Sequence, residues 1–173
     1  IPKHMDCIAA KMREMGVSVE EEEDNLRISR SGPLQRVNIK TMPYPGFPTD
    51  MQPQIAAVLS LAQGTSTVVE SVYDNRFRYV DEFKRLGANI QVDGKIAVIE
   101  GVDHLTGASI QACDLRAGAA MVIAALAAHG TTEISCVQYI ERGYENIVGK
   151  LKAIGADISL LESTEEEREI HAG

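Results

Sequence analysis

The sequence has no tryptophan, and aromatic residues make up only 5% of its 173 positions. Binding to single-stranded nucleic acid relies on aromatic platforms for base stacking, and this chain is poorly supplied with them. Positive charge is also scarce: 17 Lys and Arg stand against 25 Asp and Glu, a formal net charge of −8. With no basic stripe to neutralise phosphates, nucleic acid is not an expected partner. Cysteine is limited to Cys7, Cys113 and Cys136, with no CxxC pair. An odd, scattered set points to reduced thiols in a cytoplasmic protein, and to small core residues rather than nucleophiles. His4, His104, His129 and His171 are equally scattered, without metal-ligand spacing, so no metal and no cofactor is expected. No glycine motif cradles a phosphate. The longest apolar run, residues 117–128, is too short to span a bilayer and is flanked by Arg116 and His129, so no membrane association is expected. No signal peptide is visible, and a chain that opens at Ile1 rather than Met reads as a fragment of a longer protein.

What is present centres on residues 44–61, YPGFPTDMQPQIAAVLSL. Pro45 and Pro48, in its first five positions, stiffen a loop, because each fixes its own φ and extends the residue before it. Thr49 stands where a helix N-cap would, with Gln52 three positions on, as in a capping box. Pro53 is tolerated in the first turn, and the apolar residues that follow predict a buried helix. Asp50 is thereby delivered to a helix N-terminus, where the macrodipole favours its ionised form.

Around this stretch, helical spacing predicts a helix over residues 5–15, stopped by Gly16. Short strands follow at 17–21 and 26–29, then an extended piece at 37–40. β-Branched residues predict a strand over 65–71, then a polar loop over 72–77 and a helix over 79–86. Asp93-Gly94 marks a hairpin between 88–92 and 95–100. A strand over 108–112 leads to a second buried, alanine-rich helix over 114–128. A strand over 131–136, a helix over 144–154 and a strand over 156–160 complete the pattern. Residues 162–173 form an acidic tail expected to fray.

The pattern repeats. DMQPQIAAVLSLAQGTSTV, from Asp50, matches DLRAGAAMVIAALAAHGTTEI, from Asp114, in helix length, closing glycine and Thr-rich strand. CIAAKMREMGVSV, YVDEFKRLGANI and NIVGKLKAIGADI are three copies of a helix–glycine–strand unit. One unit runs helix, strand, helix, then two or three strands, and recurs about every 65 residues. The first unit lacks its leading helix and strand, and the last is expected to lack its closing hairpin. About two and a half units of an assembly that calls for three are present, with helices inside and sheets outside.

Four motifs in order, PGFPTDMQ (45–52), YDNRFRYVDEFKRLGA (73–88), DLRAGAA (114–120) and ERGYENIVGKLKAIGA (141–156), resemble the enolpyruvyl transferase family. The likeness runs from the start of the chain to about residue 160. It implies an α/β (α+β) fold of two domains, each an inside-out α/β barrel of three βαβαββ-type units. Residues 1–161 would be an incomplete copy of the domain that contains the C-terminus. The implied reaction joins the 3′-hydroxyl of UDP-N-acetylglucosamine to C2 of phosphoenolpyruvate and expels phosphate, at the start of peptidoglycan synthesis. By the same resemblance Asp50 lies at that hydroxyl, and the backbone of Val72 contacts the nucleotide sugar. Arg116 and Arg142 lie on the phosphoenolpyruvate side, with Asp114 near them. Guanidinium forks suit a substrate carrying a carboxylate and a phosphate. The family's other half carries a Lys-Asn pair and a mobile loop with a cysteine or aspartate proton donor. Neither motif occurs here, so the missing domain of the same enzyme is the expected partner.

Plainer readings stand beside these. Asp50 can be a helix-start acid, as Asp114 is in the next unit, although the Pro-rich loop precedes Asp50 only. Arg116 and Arg142 can be ordinary surface arginines, and Val72 is unremarkable without the resemblance. The branch of the family that acts on shikimate 3-phosphate is disfavoured by TDMQ and NRF. A non-catalytic repeat scaffold is the remaining alternative.

Overall fold

A computed structural model describes residues 2–162 and 168–172. A 3-10 turn, Pro2–Met5, leads into α1, Asp6–Glu14, and the hairpin β1, Ser18–Glu21, with β2, Leu26–Ser29. Then come β3, Ile39–Lys40; α2, Gln52–Leu59; β4, Thr65–Val69; α3, Val80–Arg85; β5, Asn89–Asp93; and β6, Ile96–Glu100. The order recurs in β7, Ser109–Gln111; α4, Leu115–Ala127; β8, Thr132–Ser135; the short α5, Gln138–Glu141; α6, Ile147–Ala153; β9, Ile158–Glu162; and β10, Arg168–Ala172. Both runs read βαβαββ, with α5 as an addition to the second. α1, β1 and β2 are the closing αββ of a third.

The sheets carry the same signature. One has the order β3-β4-β6-β5 and the other β7-β8-β10-β9. In each, the first pair is parallel and the other two are antiparallel. Among the described residues β1 and β2 pair only with each other, Ser18 opposite Ser29. They correspond to the closing hairpins of the complete sheets.

The hairpin at Asp93-Gly94 forms where the sequence places it, with Asp93 opposite Ile96. The acidic tail departs from expectation. Instead of fraying throughout, it returns as β10 between β8 and β9, so the last unit does have its closing hairpin. Two strands with open edges present unpaired N–H and C=O groups, and a returning strand satisfies both rows at once. Helix α6 also begins later than the pattern suggests. Asn146 caps it, accepting at Oδ1 from the Gly149 N–H at 3.2 Å.

Between the sheets lie α2 and α4, packed on each other and apolar nearly all round. Ala56, Ala57 and Leu59 of α2 are buried with Ala117, Ala120, Met121, Ala124 and Ala125 of α4. The small residues let the two backbones approach closely, and the large core side chains (Tyr79, Phe83, Leu86, Ile90, Ile99, Ile134, Ile140) come from the surrounding layer. Gly118 is where α5 comes closest. A Cβ there would meet Ile140 Cγ1 at 2.5 Å. Gly118→Val is therefore expected to destabilise the fold by about 1–3 kcal/mol through overpacking. A urea melt reads this as a lower midpoint, and an unchanged midpoint would show that α5 can simply step aside.

Candidate active site

Asp50 lies in a 3-10 turn, Thr49–Met51, just ahead of α2, where the loop through Pro48 delivers it. Phe47 is buried and pairs back on Thr41, with Met42 N–H donating to Phe47 O at 2.9 Å. Gly46 fits that tight return because a Cβ would fall 2.5 Å from Met42 Cβ.

The expected Thr49 cap does not form. α2 starts after Met51 with no side-chain cap. Thr49 Oγ1 instead donates to Glu70 Oε2 at 3.0 Å and accepts from Arg76 Nε at 3.2 Å. Gln52 makes no capping box either, since its buried Oε1 accepts from the Tyr79 hydroxyl at 2.9 Å. The cause is Glu70, a carboxylate only 1% exposed at the end of β4. A buried carboxylate must collect donors. Glu70 takes Thr41 Oγ1 at 2.7 Å, Thr49 Oγ1, and the backbone N–H groups of Val72 and Tyr73 at 3.0 and 2.9 Å. One side chain thus ties the turn carrying Asp50 to the loop carrying Val72. Sequence reasoning missed it, and the available signal was a lone Glu inside the run TSTVVES.

Arg76 was missed as well, although it stands in the NRF motif. It is nearly buried, its guanidinium lies 4.3 Å from the Tyr73 ring centroid, and Nη2 is 3.7 Å from Asp50 Oδ1. The ring face and the carboxylate both attract its guanidinium.

The second buried helix supplies the other contact. Arg116, in the first turn of α4, donates from Nε to Asp50 Oδ1 at 2.5 Å, across 66 residues of sequence. A cation at a helix N-terminus opposes the macrodipole. Two acids offset this: Asp50, and Asp114, whose Oδ1 accepts from the N–H groups of Arg116 and Ala117 at 2.9 Å each as the N-cap. The hydrogen bond from Arg116 holds the Asp50 carboxyl below its ordinary value, helped by the charges of Arg116 and Arg76 and opposed by partial burial. The lowering of Asp50 comes first from this hydrogen bond. The same hydrogen bond raises Arg116.

The sequence-nominated residues are therefore brought together unevenly. Asp50, Asp114 and Arg116 form one group, with Arg76 added. Val72 lies on the adjoining loop, exposed. Its N–H is committed to Glu70, and its carbonyl oxygen accepts no hydrogen bond among the described residues. Arg142 ends α5, exposed, and its guanidinium has no hydrogen-bond or ion-pair partner among the described residues. Its turn is nonetheless fixed beside Arg116: a Cβ on Gly143 would lie 2.7 Å from Leu115 Cδ1.

The resulting surface has a carboxylate, Asp50, that is 58% exposed at its side chain, beside two guanidinium groups. It can hold an anion and accept a proton. Among the described residues no group of three His, Cys, Asp or Glu could hold a metal. No helix among them is long and apolar enough to cross a membrane.

The model of the EPSP synthase (3-phosphoshikimate 1-carboxyvinyltransferase) family matches residues 2–151. A UDP-N-acetylglucosamine 1-carboxyvinyltransferase of Desulfofundulus thermocisternus is 57% identical over 158 residues, 91% of this chain and 65% of that protein. UDP-N-acetylglucosamine 1-carboxyvinyltransferase 3 of Caldanaerobacter subterraneus subsp. tengcongensis is 57% identical over the same share of this chain and 38% of its own. The chain thus spans from 38% to 65% of the length of these relatives. Among solved structures, the enolpyruvyl transferase NikO from Streptomyces tendae superposes with a TM-score of 0.81 at 29% identity, over 98% of this chain and 37% of its own. An EPSP synthase from Acinetobacter baumannii, at 17% identity and a TM-score of 0.64 over 99% of this chain and 40% of its own, shares the fold. With its two βαβαββ units and sheet-covered helices, the chain belongs to the EPSP synthase family of enolpyruvyl transferases.

Proposed function

We propose that this chain is part of an enzyme that transfers the enolpyruvyl group of phosphoenolpyruvate to the 3′-hydroxyl of UDP-N-acetylglucosamine, releasing phosphate. This would be the first committed step of peptidoglycan synthesis, carried out in the cytoplasm. The observation that carries the reading is the Arg116–Asp50 contact, which joins the acid before one buried helix to the arginine of the next on a solvent-facing surface. The choice of acceptor follows the relatives, whose names specify the sugar nucleotide at 57% identity.

In this reading the acceptor hydroxyl approaches Asp50 and the Val72 carbonyl. Asp50 takes the hydroxyl proton as oxygen bonds to C2. Arg116, with Arg142 on the neighbouring turn, holds the carboxylate and phosphate of phosphoenolpyruvate. The ion pair has a consequence for the order of events. While Arg116 is bonded to Asp50, the carboxylate is a poor base. An anionic substrate that draws the guanidinium away returns Asp50 towards its ordinary value, so the base strengthens when both substrates are present.

The site is open to solvent on one side, and its charges act there in high dielectric. A facing domain that closes over it and supplies the remaining groups completes the reading. The 173-residue chain alone is accordingly expected to release no phosphate from phosphoenolpyruvate. The full-length enzyme is expected to release it with UDP-N-acetylglucosamine and not with shikimate 3-phosphate. Turnover by the pure chain would refute the need for a facing domain, and turnover with shikimate 3-phosphate would reverse the acceptor assignment.

A further inference from the structure

A cavity of about 250 Å³, separate from the Asp50–Arg116 contact, is lined by Cys113 and Cys136 together with Arg78, Glu82, Gln111 and Tyr139. The two cysteines come from different connections, one between β7 and α4 and the other between β8 and α5. Their convergence has a backbone cause. β7 and β8 run parallel with Gln111 opposite Ser135, and the Ala112 N–H continues the ladder to Ser135 O at 3.0 Å. Side chains alternate along a strand, so Gln111 and Cys113 point to one face and Ala112, which is buried, to the other. Simple alternation would turn Cys136 inward with Ala112. Cys136 instead has φ of +59°, which breaks the alternation and brings its sulfur out. Gln111 Nε2 donates to Cys136 Sγ at 2.9 Å, fixing the sulfur on the face that Cys113 shares. Just past the paired residues of β7 and β8, the two cysteines line the same cavity, with Gln111 reaching from the end of β7 to the sulfur of Cys136. Both are half-buried and free, as is Cys7, which lies in α1 away from this cavity.

We propose that Cys113 and Cys136 are a dithiol that closes to an intramolecular disulfide when a peroxide oxidises the protein. One thiol gives up its proton and the thiolate attacks the peroxide: an S–O bond forms, the O–O bond breaks, and the departing hydroxide takes up that proton as water, leaving a sulfenic acid. The second thiol attacks the oxidised sulfur: the S–S bond forms, the S–O bond breaks, and the hydroxide leaves with the second thiol's proton as water. Two electrons pass from the sulfurs to the peroxide. The bridge would tie the residue before the Asp114 cap to the end of β8. Burial raises the Cys113 thiol, so it keeps its proton more firmly than an ordinary cysteine. The reaction should therefore be slow at neutral pH and faster in mild alkali.

The test is to treat the folded protein with hydrogen peroxide, alkylate under denaturing conditions, and measure intact and peptide masses. The expected result is a loss of about 2 Da, one remaining alkylatable thiol at Cys7, and a linked peptide pair restored by dithiothreitol. Cys113→Ser and Cys136→Ser should each abolish the 2 Da loss, whereas Cys7→Ser should leave it intact. Three alkylated cysteines after peroxide, a link involving Cys7, a disulfide-linked dimer, or oxygen addition without linkage would each overturn the proposal.

Discussion

Asp50→Asn in the full-length enzyme is expected to lower turnover by ~10²-fold or more, the usual worth of a general base. Asparagine is nearly isosteric, and its oxygen can still accept from Arg116 Nε, where Asp50 Oδ1 now does at 2.5 Å. The turn carrying residue 50 should persist, because Thr49 is anchored to Glu70 and Arg76 and not to residue 50. What disappears is the negative charge and nearly all basicity. Affinity for the sugar nucleotide should fall far less, since one hydrogen bond to the hydroxyl survives. If Asp50 is only an ion-pair partner, the change removes a mostly exposed pair, worth ~0–1 kcal/mol. Its folded-state value is depressed, so that contribution is present at neutral pH and is lost as pH falls through it. Steady-state rates and a melting curve on the same variant separate the two roles. Near-normal turnover with a slightly lower midpoint would refute the catalytic one.

Arg116→Ala is expected to raise the concentration of phosphoenolpyruvate needed for half-maximal rate by ~10–10²-fold, the loss of a charge-assisted hydrogen bond or two. Affinity for the sugar nucleotide should change little. A lysine should rescue only in part, because a point charge cannot reproduce a planar fork. The same substitution should move the acid limb of the rate profile at low substrate, where the unliganded site and its Arg116–Asp50 contact set the rate. Arg116 depresses Asp50, so its removal lets the carboxylate protonate at higher pH, and activity is lost earlier on acidification. Arg142→Ala should weaken phosphoenolpyruvate use with the least effect on stability, since that guanidinium has no partner among the described residues to leave unpaired. Unchanged kinetics in both alanine variants would make them surface residues.

Much of the architecture was legible because it rests on local chemistry. Gly16, Gly64, Gly87, Gly130 and Gly155 all stand at positive φ where the sequence places helix or loop endings, and their spacing exposes the repeat. Asp93-Gly94 turns the hairpin, and the alanine-rich runs become the buried helices. Asp114 caps its helix with its own side chain. These features depend on residues within a turn or two of each other, and so a single stretch suffices to read them.

The site was legible only as residue types. Asp50 and Arg116 are 66 residues apart, and nothing between them says that the ends of α2 and α4 meet. Thr49 and Gln52 have the spacing of a capping box, yet neither caps. A cap is worth about 1 kcal/mol, whereas leaving the buried Glu70 carboxylate without donors would cost several. The larger demand takes Thr49, and it comes from a strand that only tertiary packing brings near. β10 has the same origin: its residues carry no strong strand signal, and the open edges of β8 and β9 define its place. Sequence alone determined most of the helices, strands and turns before residue 137, because those choices are settled within a few residues, whereas α5, the start of α6 and β10 were not legible in it. Which side chain answers which was decided by the fold, because burial sets the cost of an unmet charge or hydrogen bond.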